Sequence, residues 1–384
     1  MPERPAATLD IFAVAAPGLE PIVASEIVAL GPQPQVVEGG VSFAGTLADV
    51  QRANLHLRAA SRVVVRLGTF RATAFHELER FAGKLAWGTV LGAGASIAVR
   101  ATCRKSRLYH SDAVAERVLS AAERAVGGLV PAAAPREEDE SGSAAQLIVV
   151  RLSHDRVTIS ADSSGALLHL RGYRQAIAKA PIRENLAAAM LLGGGWDPRT
   201  PLVDPMCGSG TVAIEAALLA RAIAPGLGRS FAFERWPSFD ARAWRETVDC
   251  AKSAILARAP ASIVASDRDA GAVRAALANA ERAGVGADVA ITERSVSEVE
   301  APEGEVGALV TNPPYGMRVG ERRALRDLYA RFGQVARARF PGWVLTLLSA
   351  DRALEAQLRL DLEERFRTRN GGIPVRLVSG RIPG

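Results

Sequence analysis

Residues 308–320 read ALVTNPPYGMRVG: an apolar, β-branched run closing on Asn312, then Pro313, Pro314, Tyr315 and a glycine. The prolines fix φ and remove two backbone donors, so the corner offers acceptors: the Asn312 side-chain oxygen and the Pro313 carbonyl. A planar amine, on a nucleobase or a carboxamide, has two N–H bonds to give and a lone pair delocalised into its π system. Two fixed acceptors hold that nitrogen so its lone pair faces an electrophile, which is catalysis by positioning and electrostatics. Tyr315 would stack on the flat group, worth roughly 1–3 kcal/mol for a base on an aromatic ring. NPPYG is also simply a good turn after a strand.

Two further stretches bear on the choice. In PLVDPMCGSGTVAIEAALLA, Asp204 closes a short apolar run, Gly208 and Gly210 allow a ligand close to the backbone, and Thr211 opens a helical pattern. That is a nucleotide-type loop, although a tight strand-to-helix turn reads the same. In SIVASDRDAGAVRAALANA, Asp267 ends the next strand, where a carboxylate can accept both ribose hydroxyls of a nucleoside. A dinucleotide site places its acid about 20 residues beyond the glycines. Only Glu234 lies near that spacing, without a convincing strand before it, which counts against NAD.

The elements that must carry these residues follow from periodicity. From about Leu186, helical patterns alternate with short apolar strands through GWVLTLLS, which predicts a mostly parallel sheet covered on both faces. Residues 8–70 read strand, helix, two strands, helix, strand: a small α+β unit. A helix, a strand, the basic connection CRKSRLYHS, a helix from Asp112 to about Val126 and two alternating strands follow. PAAAPREEDESGSAA interrupts them as a solvated loop.

The chain has 384 residues, 48% of them hydrophobic, with formal net charge +6 supplied almost entirely by Arg. Such a balance suits a polyanionic partner, although a GC-rich genome also inflates Arg and Ala. Three scattered cysteines, Cys103, Cys207 and Cys250, form no CxxC pair, so neither a zinc site nor a disulfide framework is expected. A reducing cytoplasm, no signal peptide, no membrane span, no metal and a monomeric protein are the expectations.

DPMCGSGT, ASDRD and NPPYG, in this order and on these strand ends, resemble the class I S-adenosylmethionine-dependent methyltransferases that modify planar amino nitrogens. The resemblance implies that Asp204, Pro205, Cys207, Gly208, Gly210, Thr211, Asp267 and Ser295 line the cofactor. Asn312, Pro313 and Tyr315 would hold the target, with Asn312 also bordering the cofactor. Residues 169–192, HLRGYRQAIAKAPIRENLAAAMLL, look like the segment joining a THUMP domain to its methyltransferase in RNA guanine-N2 enzymes. IAPGLGRSFAFERW and RNGGIPVRLVSGRI resemble the bacterial 23S ribosomal RNA enzymes of the RlmL type.

The fold implied is α/β: a Rossmann-like sheet, mostly parallel with its last strand antiparallel, at 166–384. It would follow a ferredoxin-like α+β domain at 1–69 and a THUMP domain at 70–165. Many relatives carry an Asp after the third strand for the adenine amino group, where ITERSVSEV puts Ser295.

Arg104, Lys105 and Arg107 beside Tyr109 combine phosphate-neutralising cations with a stacking ring, the usual combination for RNA. A solvated charged loop explains the run equally. Arg174 and Arg318 complete the expected substrate contacts. The leading expectation is guanine-N2 methylation of ribosomal RNA. Transfer RNA, DNA adenine N6, a protein glutamine, or a non-catalytic RNA-binding role stand as alternatives.

Overall fold

A computed structural model describes residues 8–135, 144–175, 182–304, 306–315 and 322–384. They form two compact units, each assembled from more than one stretch of chain. The first comprises residues up to Ala15, Val23–Leu170 and Arg229–Asp249; the second comprises Ala16–Ile22, Arg171–Gly228 and Cys250–Gly384.

The amino-terminal elements are β1 (Leu9–Val14), α1 (Glu20–Ala29), β2 (Pro34–Val37), β3 (Gly40–Gly45), α2 (Leu47–His56) and β4 (Arg62–Arg71). Next come α3 (Phe75–Ala82), β5 (Ser96–Arg104), α4 (Ser111–Val126), β6 (Val130–Pro131), β7 (Gln146–Ser153) and β8 (Arg156–Asp162). Their strands form one eight-stranded sheet in the order β2-β3-β1-β4-β8-β7-β5-β6. Strand periodicity puts alternate residues on one face. A row of Phe43, Ile11, Val65, Ala161 and Ile148, paired strand to strand across β3, β1, β4, β8 and β7, is accordingly buried.

The chain departs from a linear division at Arg229–Asp249, which lies within 166–384 by number yet belongs to the first unit. The reason is aromatic. Phe231, Phe233 and Trp236 are buried, and Phe231 and Phe233 stack at 5.3 Å. Trp236 Nε1 donates to Gln146 Oε1 at 2.7 Å, and Phe233 N donates to the Ser163 carbonyl at 3.1 Å. Large rings carry 150–250 Å² of surface each, so this short segment follows its burial rather than its neighbours in sequence.

The second unit carries α5 (Glu184–Gly193), β9 (Leu202–Asp204) and α6 (Thr211–Ala220). Helix α7 (Ala241–Ser253) leads back to it, followed by β10 (Ile263–Asp267), α8 (Ala270–Arg282), β11 (Val289–Glu293) and β12 (Ala308–Thr311). Then come α9 (Arg322–Arg339), β13 (Val344–Ser349), α10 (Arg352–Glu355), β14 (Glu363–Asn370) and β15 (Ile373–Arg381). The sheet order is β11-β10-β9-β12-β13-β15-β14. Strands from β11 to β13 pair in parallel, and β15 runs antiparallel to both neighbours.

Both faces of this sheet are covered. Leu345 and Leu347 pack with Phe332 and Ala336 of α9. Thr346, between them, lies against Gly194 after α5, where an added Cβ would come within 2.8 Å of it. Strand order reverses between β9 and β12, which opens a crevice at their carboxyl ends. No helix among the described residues is long and apolar enough to cross a membrane.

Candidate active site

Three strand ends meet at that crevice. β9 ends on Asp204, flanked in register by β10 and β12. Thr311 Oγ1 donates to Asp204 Oδ1 at 2.7 Å, tying the end of β12 to the end of β9. Gly208 N donates to Asp267 Oδ2 at 2.9 Å, tying the glycine loop to the end of β10. Cys207 N donates to the Ser266 carbonyl at 2.9 Å, which keeps the loop folded over β10.

The two glycines do different work. Gly208 takes φ +53°, and a Cβ there would meet no atom within 4 Å, so open space faces this backbone. Gly210, at φ +83°, lies where a Cβ would come within 2.9 Å of Ala276 Cβ on α8. Its missing side chain therefore serves helix packing. Thr211 is buried at the first position of α6, Pro205 is buried, and the Ser209 carbonyl accepts from Asn279 Nδ2 at 3.0 Å.

Asp267 is half-buried; its Oδ1 accepts from Asp269 N at 3.0 Å while Oδ2 holds Gly208. Each carboxylate oxygen has a second lone pair, so the group can still accept from a ligand hydroxyl. Ser295 is half-buried just after the third strand, its N–H donating to Glu298 Oε2 at 2.9 Å. Burial pushes the Cys207 thiol far above its usual range, reinforced by Asp204 and Asp267, so it is no thiolate nucleophile at neutral pH. Among the described residues no cluster of His, Cys, Asp and Glu is arranged to hold a metal ion.

Burial raises Asp204 from 3.8 to about 7, against the opposing bonds from Thr311 and Met206 N and with Asp267 adding to the rise. In the unfolded chain it ionises near 3.8. Between those values the folded protein keeps a proton that the unfolded chain has released, so this group lowers stability as pH rises from about 4 to 7 and no further above that. Asp204→Asn retains one carbonyl oxygen as an acceptor and cannot ionise. The variant is expected to melt above the parent at pH 8, by an advantage of up to about 4 kcal/mol that shrinks towards pH 5. Thermal unfolding of both proteins at the two pH values checks this, and an advantage that grew towards low pH would contradict it.

At the target corner, Asn312 is half-buried and Pro313 buried. Asn312 Oδ1 is shut off from solvent and has no hydrogen-bond partner among the described residues. Leaving a buried acceptor unmet costs about 1–3 kcal/mol, so native proteins rarely do so without a ligand in view. Tyr315 is half-buried, and its hydroxyl accepts from Asn370 Nδ2 at 2.6 Å.

The remaining expected contacts are divided. Arg174 is engaged within the protein: its Nε and Nη2 each donate to Glu184 at 3.0 Å, a bidentate pair on a buried carboxylate. Arg318 lies outside the described residues. Arg104, Lys105, Arg107 and Tyr109 are exposed at one end of the eight-stranded sheet. The pairing register aligns Arg71, Arg156, Ser153 and Arg104 in a row across β4, β8, β7 and β5. Arg107 N donates to Asp155 Oδ1 at 2.8 Å, and Asp155 N to Ser106 Oγ at 3.1 Å, which stitches the basic loop to the β7–β8 turn. The Tyr109 and His110 rings lie 4.1 Å apart, tilted by 41° to one another.

Several contacts around the site have no counterpart in the sequence pattern. Thr311, next to Asn312 in VTNPP, was within reach of a strand-end argument. Asn370 lies 55 residues from Tyr315, and no spacing rule connects them. Arg171 and Tyr173 converge on the wholly buried Glu215 of α6, with Arg171 Nε at 3.0 Å and Tyr173 Oη at 2.9 Å.

Comparison with known proteins identifies the family. Residues 171–379 match the sequence profile of the RMKL-like methyltransferase domain, UPF0020, and residues 10–64 match that of the RlmL ferredoxin-like domain. A Synechocystis protein provisionally named RNA methyltransferase slr0064 is 34% identical over 97% of both chains. A Listeria monocytogenes protein, described as a predicted N6-adenine-specific DNA methylase, superposes with TM-score 0.86 at 34% identity, over 97% of this chain and 96% of that one. SMU.472, provisionally named a methyltransferase and solved with SAH, superposes with TM-score 0.86 at 31% identity over 97% of both chains. The chain therefore belongs to the RMKL-like methyltransferase family, with an RlmL-type ferredoxin-like region ahead of its catalytic domain.

Proposed function

We propose that the protein transfers a methyl group from S-adenosylmethionine to the exocyclic N2 amine of a guanine in RNA, with 23S ribosomal RNA as the leading substrate. The observation carrying this is the buried Asn312 oxygen, without a hydrogen-bond partner among the described residues, just past the end of the strand whose Thr311 is bonded to Asp204. The residues fit the cofactor: Gly208 leaves room at its backbone, and Asp267 has lone pairs to spare for ribose hydroxyls. Bound there, S-adenosylmethionine supplies an electrophilic methyl on a sulfonium. Asn312 Oδ1 accepts an N–H of the target amine and fixes its orientation, and Tyr315 supplies a stacking face. The relative solved with SAH supports the cofactor, and the Synechocystis relative's name supports RNA.

Residues 70–165 are proposed as the THUMP RNA-binding domain following the ferredoxin-like segment 1–69, with the basic end of their shared sheet as the contact. Arg71, Arg104, Lys105, Arg107 and Arg156 would neutralise phosphates there, and Tyr109 would stack on an unpaired base. Replacing Arg104 and Lys105 together by alanine is expected to weaken RNA binding by roughly tenfold and to lower the slope of log affinity against log salt by about 1–2. Filter binding across a salt series reads both, and an unchanged slope would remove this loop from the interface. Point changes are preferable to deleting residues 1–165, since the deletion strips Phe231, Phe233 and Trp236 of their packing.

Mass-spectrometric mapping of methylguanosine in ribosomal and transfer RNA from a deletion strain tests the substrate. Loss of one N2-methylguanosine from 23S RNA is the expected result. Loss from transfer RNA would move the substrate, and transfer of labelled methyl to DNA adenine or a protein glutamine instead would overturn the reading. Absence of calorimetric binding of S-adenosylmethionine would point to a non-catalytic RNA-binding protein.

A further inference from the structure

We infer that Asn370 is a positioning residue for the target-binding ring: it clamps the hydroxyl of Tyr315 and so fixes the plane on which the target base stacks. The inference rests on the proposed function, since it concerns how the target is presented.

Tyr315 is constrained unequally along its length. Its backbone follows Pro313 and Pro314, whose rings fix φ, so the base of the side chain is held. The ring retains two rotatable torsions, and half-burial does not by itself select one plane. What reaches its tip comes from the far end of the sheet. Asn370 is the last residue of β14, paired with Ile373 across a two-residue turn. Gly371 and Gly372 both take positive φ, +55° and +83°, the geometry that closes a tight hairpin in register. Arg369 Nη1 donates to the Gly372 carbonyl at 3.0 Å and braces the turn. The Asn370 amide is thus carried on a rigid support, and its Nδ2 meets Tyr315 Oη at 2.6 Å.

A stacking platform acts through its plane. A base lying on a tilted ring swings its amine away from Asn312, and misplacement by about 1 Å can cost a hundredfold in rate. Anchoring the ring at both ends, by the prolines and by Asn370, fixes the direction of its long axis, and because the phenol oxygen accepts best in the ring plane the Asn370 bond also favours one plane before the target arrives. Asn370 itself need touch neither cofactor nor target.

The test is a double-mutant cycle on methyl transfer: Asn370→Ala, Tyr315→Phe and the two combined. Each single change breaks the same hydrogen bond, so each is expected to lower kcat by roughly tenfold, with the combined protein no slower than either beyond about twofold. Asn370→Asp lets the Tyr315 hydroxyl donate instead and should restore most of the rate. Independently of any reaction, titrating ring-labelled tyrosine by NMR in the free protein reads the clamp. The Asn370 amide lowers the Tyr315 phenol against the upward push of burial, so Asn370→Ala is expected to move that titration upward.

Multiplicative losses in the combined protein, or a Tyr315 titration indifferent to residue 370, would overturn the inference. If the parent methylates DNA or protein but no RNA, the proposed function fails while the cycle, run on the true substrate, still decides the role of Asn370.

Discussion

Replacing Asn312 by alanine lowers turnover at saturating cofactor by roughly a hundredfold or more, while cofactor affinity moves by less than about threefold. The split follows from what the oxygen can do: it is an acceptor, and it acts on the amine rather than on the sulfonium. A second consequence has the opposite sign. The oxygen is buried without a partner among the described residues, a conformation that costs about 1–3 kcal/mol. Removing it should leave the melting temperature unchanged or raised, as expected when a site is arranged for a ligand at the expense of stability. Steady-state kinetics, calorimetry and thermal unfolding of the one variant read all three quantities. A fall in cofactor affinity as large as the fall in turnover would contradict the assignment.

Asp267→Ala should do the reverse. Affinity for S-adenosylmethionine is expected to fall by roughly a hundredfold, with kcat at saturation kept within severalfold. Two losses combine in that figure. The carboxylate is the candidate acceptor for ribose hydroxyls, and its oxygens hold the N–H groups of Gly208 and Asp269. Alanine frees the glycine loop and removes the ligand contact together. Asp267→Asn keeps one acceptor oxygen and should lose less, roughly tenfold. Calorimetric titration with S-adenosylmethionine or its demethylated product separates the variants. Unchanged affinity in Asp267→Ala would place the ribose elsewhere.

The parts of the molecule that could be read from sequence are those where geometry permits few residue types. A glycine at φ +53° facing open space, an acid at a strand end and a double proline at a corner each leave a chemical trace in a short window. The alternating helices and strands of the second unit were legible for a similar reason, since each strand is a compact apolar run. Helix α7 left a fainter trace: Ala243, Trp244, Thr247, Val248 and Ala251 recur at helical spacing, but only Ala251 is fully buried and the rest of the helix is polar. Strand β14, EERFRTRN, buries only Phe366 and Thr368 at the sheet edge and reads as a charged loop. Pairings over long separations, such as Tyr315 with Asn370 or Arg171 with Glu215, are fixed by tertiary structure and have no local signature. The Arg174 pair with Glu184 is equally invisible in one dimension, where an arginine bonded to a buried carboxylate looks the same as one facing phosphate.

Neither unit is made from one continuous length of polypeptide, since the first waits for Arg229–Asp249 and the second takes Ala16–Ile22 from near the beginning. During synthesis, the strands of the eight-stranded sheet therefore emerge well before the phenylalanines that share their unit, and that unit remains incomplete until Arg229–Asp249 has left the ribosome. Chimeras that exchange the front half between relatives must carry the aromatic segment along with it, or the graft arrives with its last core residues left behind in the recipient.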